Sequence, residues 1–365
     1  HEADGSFSDA TGCGNETASE RAMMRRLIVD AVCYWAEEYH VDGFHFDLMG
    51  VHDIGTMNEV RRALDRIDPS ILLYGEGWTA ARSPLDESLR AVKRAGPRLP
   101  RIAVFGDDLR DALRGGWGDS TEPGFVSGKS GLDRNVRFGV VGATAHFQVG
   151  FDSSGDPPVA YGGHSAETIN YVSCHDDLSL VDKLRASAPE GMTEEELVRF
   201  DKLAQTVVLT AQGIPSIFAG EEMLRTKGGV SNSHDSPDRV NRIDWSFKAD
   251  HKDVFDYYRG LIALRRTHPA FRLATAAEIE RHLRFLDTGD THVVAYMLVD
   301  HAGDDPWREI LVVYNGARAE KRVRIPPCDW HAVCLDGRIA SEALAVFSGD
   351  SVPVPASSAL IAYLP

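Results

Sequence analysis

Apolar positions along the chain follow two regimes. Up to about residue 270, strand-length apolar runs alternate with longer segments of helical periodicity; beyond it, short β-branched runs follow one another with turns between them. From Ala18 to about Tyr39 the residues Met23, Met24, Leu27, Ile28, Ala31 and Trp35 recur as a helical stripe, with Ser19 placed as its N-cap. A strand at 43–47, a helix at 56–67 stopped by Asp68-Pro69 and a strand at Ile71–Gly75 form a strand–helix–strand unit, which favours parallel pairing. Residues 1–16 read as a Gly-rich loop, and residues 80–165 as a long irregular excursion with one helix near 107–113; excursions of that length usually carry function. Strand Thr168–Ser173, helix 193–211, strand Ser216–Ala219 and helix 253–267 resume the alternation. After His268-Pro269 the segments 283–287, 292–299, 309–314, 320–325, 331–335 and Ala359–Leu364 predict an all-β terminal domain. The expected organisation is an α/β domain over residues 1–272 followed by a β-sandwich over 273–365.

Three of the strand-like runs end in a carboxylate: Val41–Asp47, Tyr74–Glu76 and Tyr171–Asp177. Alternation puts Phe44, Phe46 and Leu48 on one face of the first strand and His45 and Asp47 on the other. In the second run Leu72, Tyr74 and Glu76 share a face. Glu76 stands between Gly75 and Gly77, which leave room for a ligand beside the backbone, and Trp78 follows with a ring on which a sugar can stack. An acid on the inner face of a sheet is costly unless it is satisfied or useful. Strand ends are where α/β barrels keep their chemistry, and an acid, a nucleophile and a supporting charge are what glycoside hydrolysis requires. The third run ends His175-Asp176-Asp177. A metal-dependent hydrolase could use such a pair, but no further histidines stand at ligand spacing, so a sugar-binding histidine beside a site carboxylate fits better.

Composition narrows the partners. A formal charge of −16 repels nucleic acid and suits a neutral polysaccharide, and no run reaches the ~20 apolar residues of a membrane span. The five scattered cysteines show no metal or redox spacing; only Cys328 and Cys334 stand where two strands could bring them together. The chain opens His1-Glu2-Ala3 without an initiator methionine or signal peptide, which suggests a fragment or a processed piece, with any targeting signal upstream; a soluble protein is expected and its compartment stays open.

These segments, in this order, resemble the α-amylase superfamily of glycoside hydrolases, and within it the type I pullulanases that cleave α-1,6 branch points. The resemblance rests on Gly12–Glu20 (GCGNETASE), Asp47–Gly50 (DLMG), Tyr74–Trp78 (YGEGW), Tyr171–Asp177 (YVSCHDD), Gly213–Glu222 (GIPSIFAGEE) and the 232–245 loop, and extends over residues 4–270. It implies a (β/α)8 TIM barrel of which this chain holds about strands four to eight. The earlier Asp-x-x-x-Asn-His strand and the YNWGYDP signature of the family have no match, so the N-terminal barrel strands are expected to be missing, leaving open sheet edges.

By the same resemblance Asp47 is the nucleophile, Glu76 the general acid/base and Asp176 the transition-state stabiliser. His45, Trp78, His175, Asp177, Asp238, Asn241 and Arg242 would bind substrate. The implied mechanism is retaining, on pullulan, amylopectin, glycogen or limit dextrins, with no cofactor required and a structural calcium possible at no assignable site. Two departures stand out. His45 occupies the position of a family arginine, replacing a fixed charge with a titratable group, and Asp177 stands where many relatives have Asn, adding like charge beside Asp176. The competing readings are an isoamylase- or amylase-type hydrolase and a glucan-binding pseudoenzyme or inactive fragment.

Overall fold

The computed structural model describes residues 1–2, 4–150 and 160–365. They divide into two compact units, one holding residues 1–105 and 160–169 and the other 106–150 and 170–365.

The first unit is the strand–helix–strand design read from the sequence. Helix α1 (Ala22–Tyr39) is followed by strand β1 (Gly43–Phe46), helix α2 (Ile54–Ile67) and strand β2 (Leu72–Gly75). Strands β3 (Ala103–Phe105) and β4 (Thr168–Asn170) complete a run of parallel neighbours in the order β1-β2-β3-β4. Asp53 starts α2 by accepting from Thr56 N at 3.0 Å, and the chain leaves the helix at Asp68, ahead of Pro69. Ser19 does not cap α1, whose first residue follows Arg21. Its hydroxyl instead donates to Asp53 Oδ2 at 2.8 Å and receives Asp53 N–H at 2.8 Å, pinning the N-terminal side of α1 to α2. The stripe on α1 is the larger departure: Met23, Leu27 and Trp35 are exposed, and only Val32 and Ala36 of this helix are buried.

In the second unit, helices α3 (Asp107–Arg114) and α4 (Asp133–Val140) come out of the excursion after residue 80, with β3 just before them. Both β3 and α4 are absent from the sequence reading. Strand β3 has three residues, all buried, so it offers no alternation to read. Part of that excursion, 151–159, lies outside the described residues. Helices α5 (Leu180–Ala186) and α6 (Glu194–Thr210) follow. Thr193 and Glu196 cap the latter reciprocally, Thr193 N donating to the Glu196 carboxylate and Glu196 N to Thr193 Oγ. Strand β5 is Ile214–Pro215 rather than 216–219, and Ser216 N donates to Asn170 O at 2.8 Å. The short helices α7 (Asp238–Asn241) and α8 (Phe247–Asp250) lead to α9 (Lys252–Thr267) and α10 (Ala276–His282).

The rest is β-structure, as the sequence pattern requires: β6 (Leu283–Leu286), β7 (Val293–Leu298), β8 (Glu309–Asn315), β9 (Lys321–Arg324), β10 (Trp330–Leu335), β11 (Arg338–Ile339), β12 (Ala345–Phe347), β13 (Ser351–Val354) and β14 (Ser358–Leu364). The antiparallel order is β11-β10-β14-β8-β7-β6, with β12 on β10, and β13 pairs with β9 as a second sheet. Val323, Val352 and Val354 of the small sheet, with Ile325 just after β9, share one core with Val293, Ala295, Met297, Leu311, Val313 and Trp330 of the large one, which makes a sandwich. The opposite face is equally buried: Tyr296 Oη donates to Thr210 O at 3.0 Å and Tyr314 Oη pairs with Thr210 Oγ1 at 2.5 Å, seating the sheet on α6. Cys13, Cys33, Cys328 and Cys334 are free thiols. Cys334 is buried with its sulfur 3.3 Å from Tyr257 Oη, so the pairing with Cys328 is not formed.

Candidate active site

The parallel register decides the geometry in the first unit. Phe46 pairs with Gly75, so the next residues, Asp47 and Glu76, stand level at the ends of adjacent strands and on the same face. One oxygen of each, and one ring nitrogen of His45, lie within 4.8 Å of one another. Glu76 is 2% exposed, whereas the Asp47 side chain is 65% exposed. Leu48 takes a left-handed conformation (φ 42°), and this turn aims its N–H at Glu76 Oε2, 2.8 Å away. The same bond ties the acid to the strand that carries Asp47. His45 Nε2 stands 3.7 Å from Asp47 Oδ1, and its ring meets Tyr74 and Phe105 at 5.2 and 5.5 Å. Trp78 faces Phe105 at 6.5 Å, closing an aromatic wall beside the two acids. His45, Asp47 and Glu76 also have the donor chemistry to hold a divalent cation.

The glycines around Glu76 answer to the protein rather than to a ligand. A Cβ on Gly75 would come within 2.5 Å of Phe46 O, and one on Gly77 within 2.8 Å of Lys93 N. They let neighbouring backbones approach Glu76 and so bury it, which corrects the expectation of open space there.

In the second unit His175 and Asp176 lie on a loop with side chains 52% and 60% exposed, His175 Nε2 being 3.6 Å from Asp176 Oδ1. Asp177, expected at the substrate, places its carboxylate against Arg114 Nη2 at 2.7 Å, and Arg114 is 1% exposed. The extra negative charge at this position is therefore countered inside the protein. In the 232–245 loop Asp238 opens α7. The Asn241 side-chain amide donates to Ser233 O (2.6 Å) and Ser236 O (3.1 Å) and holds the loop closed on itself. Arg242 is exposed, reaches Asp244 at 3.5 Å, and lines a cavity of about 450 Å³ with Arg225, Lys227 and Arg239; Asp238 and Asn241 are not among its lining residues.

The sequence assigned no part in the site to three residues of these segments: Leu48, Arg114 and Glu221. Glu221 stands in a run, Gly213–Glu222, whose apolar residues signal burial, and a buried acid there is the available clue. Arg114 lies in the irregular excursion and offers none.

Level carboxylates at the ends of adjacent parallel strands, with a β-sandwich after the helices, fit part of an α-amylase-type (β/α)8 barrel and its terminal domain. The comparisons agree. Residues 279–338 match the family model "Pullulanase, all-beta domain". A pullulanase of Bacillus subtilis (strain 168) is 38% identical over 326 residues, covering 89% of this chain and 44% of that protein. The structure of a pullulanase from Bacillus acidopullulyticus superposes with a TM-score of 0.91 at 40% identity, over all of this chain and 43% of its own. That of Paenibacillus barengoltzii pullulanase in complex with maltohexaose and alpha-cyclodextrin gives 0.90 at 42%, over all of this chain and 54% of its own. The chain thus spans about half the length of the relatives it matches. By sequence and fold it belongs with the pullulanases, as a counterpart of the C-terminal part of type I members. Among the described residues no helix is long and apolar enough to cross a membrane.

Proposed function

We propose that the protein is a retaining α-glucan debranching hydrolase, with Asp47 as nucleophile and Glu76 as general acid/base. The observation that carries this reading is the level placement of the two carboxylates, whose nearest oxygens lie within 4.8 Å. Retaining enzymes need carboxyls ~5–5.5 Å apart, and inverting enzymes ~6.5–9.5 Å to admit a water. The division of labour follows from the surroundings. The exposed Asp47 side chain suits the group that meets an anomeric carbon, while the buried Glu76, held by Leu48 N–H at one oxygen, suits the proton donor.

Glu76 then protonates the leaving oxygen as Asp47 attacks, and afterwards removes a proton from the water that releases the sugar. Asp176 supports the cationic transition state and His175 binds the same sugar. Trp78 stacks on the acceptor side, and Asp238, Asn241 and Arg242 belong to the loop that takes the non-reducing side, Asn241 by holding its shape. His45 orients Asp47 in place of the family arginine. The substrate would be an α-glucan with α-1,6 linkages such as pullulan; the complex of the Paenibacillus barengoltzii pullulanase with maltohexaose and alpha-cyclodextrin supports the α-glucan class. The reaction needs only the carboxylates and water.

The test is maltotriose release from pullulan by the intact polypeptide that carries this chain, and by its Asp47→Ala variant. The expected result is release by the parent and a loss of at least ~10⁴-fold in the variant, with the anomeric product first formed in the α configuration. Binding of pullulan without release would instead identify a glucan-binding protein, and first release of the β anomer would exclude the retaining mechanism.

A further inference from the structure

Resting on the reading of Asp176 as the transition-state stabiliser, we propose that Arg114 and Glu221 are positioning residues that fix Asp176 by gripping the loop on either side of it. His175 and Asp176 are half-exposed on a segment without helix or strand hydrogen bonds of its own. A carboxylate in that setting would sample many orientations, yet transition-state support demands one.

The segment is anchored on both flanks. Three residues before Asp176, the buried Ser173 Oγ shares a short hydrogen bond with Glu221 Oε1. Glu221 is 1% exposed and is itself fixed, its Oε2 accepting from Gln205 Nε2 of α6 and from Phe218 N, each at 3.0 Å. One residue after Asp176, the chain turns through a left-handed conformation at Asp177 (φ 60°), which residues bearing a Cβ avoid unless something holds them there. Arg114 holds it with both arms of its guanidinium. Nη2 donates to Asp177 Oδ2 at 2.7 Å, and Nη1 donates to Leu178 O at 3.0 Å. Lys227 Nζ, buried on the other side, donates to Asp177 O.

The chemistry of the anchors separates positioning from simple packing. Two apolar side chains could fill these sockets, and buried charges are a poor source of stability. What the polar groups add is direction: the fork of Arg114 fixes a side chain and a carbonyl together, which only one turn geometry satisfies. Burial raises the Glu221 carboxyl to about 8, so near neutral pH it serves as an uncharged hydrogen-bonding socket and leaves the local negative charge to the exposed acid. Asp177 thereby belongs to the support of Asp176 rather than to the sugar.

The experiment uses the intact polypeptide with pullulan, with four variants and two readouts. Arg114→Lys keeps the cation but replaces the planar fork that spans Asp177 and Leu178 with a shorter point donor, and Glu221→Ala removes the socket. Each is expected to lower kcat by about 10²-fold with KM nearly unchanged, the scale of a misplacement of about 1 Å. The conservative variants Asp177→Asn and Glu221→Gln keep the hydrogen-bonding shape and should stay within about threefold of the parent, well short of the ~10²-fold misplacement effect. In hydrogen exchange followed by mass spectrometry, the peptide covering 171–179 should lose protection in Arg114→Lys and Glu221→Ala while α6 and the β-sandwich do not. Parental kcat and exchange in Arg114→Lys would overturn the proposal, as would a loss of protection spread evenly over the chain. An inactive parent, or an Asp47→Ala variant as active as the parent, would instead remove the hydrolase reading. The exchange pattern would still decide whether the loop is anchored.

Discussion

Helices α1 and α6 are nearly the same length, 18 and 17 residues, yet the protein holds them by opposite means. Twelve residues of α6 are buried, and its apolar face meets α9 and the β-sandwich. On α1 only Val32 and Ala36 are buried, while Met23, Leu27, Tyr34, Trp35 and Tyr39 face outward. What fastens α1 is polar: Arg25 Nη2 to Asp53 Oδ1 at 3.0 Å, Arg25 Nε to Thr56 Oγ1 at 2.9 Å, and Ser19 between them. An amphipathic pattern marks a face that could be covered; the rest of the molecule decides whether it is.

The largest contrast should come from truncating an apolar side chain on α6. Phe200→Ala removes a fully buried ring and should cost about 3–5 kcal/mol, seen as a lower urea midpoint at unchanged slope. A cost near zero would mean that α6 is held by its caps and ion pairs, as α1 is by its pins.

The two regions should also respond to pH with opposite sign. Asp201 of α6 is wholly buried; burial pushes its carboxyl up to about 7 despite the hydrogen bond it accepts from Tyr258 Oη at 2.8 Å and the charge of Lys202 nearby. The folded protein then keeps a proton that the unfolded chain has lost above about pH 4. Stability should therefore fall as pH rises towards 7 and level off above it, on the order of 4 kcal/mol across that window. Asp201→Asn should flatten this limb in unfolding measured at a series of pH values.

Asp53, under α1, behaves the other way. Burial works against its ionisation, but hydrogen bonds from Thr56 and Ser19, with Arg25 beside it, hold the carboxyl below its ordinary range. Its contribution is present above the ordinary carboxylate pKa and is lost as pH falls through the depressed value. Asp53→Ala should cost about 1–2 kcal/mol at neutral pH, the value of a lost N-cap, and progressively less in acid. An equal cost at all pH values would assign the effect to packing rather than to the ionised pin.

How legible each region was in the sequence follows from the same contrast. The β1 and β2 strands were readable because His45/Asp47 and Tyr74/Glu76 alternate against apolar neighbours, and the register then leaves Asp47 and Glu76 level. The sandwich strands were readable from β-branched runs, although β11, β12 and β13 were missed: two are only two or three residues long, and the third carries Pro353. Strand β3 was invisible because its three residues are all buried. The motif residues of the site could be named, but not what holds them. Gly75 and Gly77 suggested room for a ligand, and the backbones of Phe46 and Lys93 fill it. Asp177 suggested a substrate contact, but the sequence did not show that Arg114, from a stretch with no readable pattern, binds its carboxylate. Supporting contacts of this kind are made between distant positions, where local pattern carries no signal.

The smallest effect is expected where the sequence pattern looked most like core. Leu27 lies in the middle of the α1 stripe and is 61% exposed, so Leu27→Ser removes little buried surface. Its cost should stay within about 0.5 kcal/mol, mostly the difference in helix propensity. A second readout separates an open face from a covered one. Exposed apolar patches promote association, so sedimentation at rising protein concentration should show the parent chain associating more strongly than the variant. If Leu27→Ser instead cost several kcal/mol, as Phe200→Ala should, the stripe would be covered in the protein as it exists. The helix would then owe its place to apolar burial after all, with Asp53 and Arg25 reduced to trimming its register.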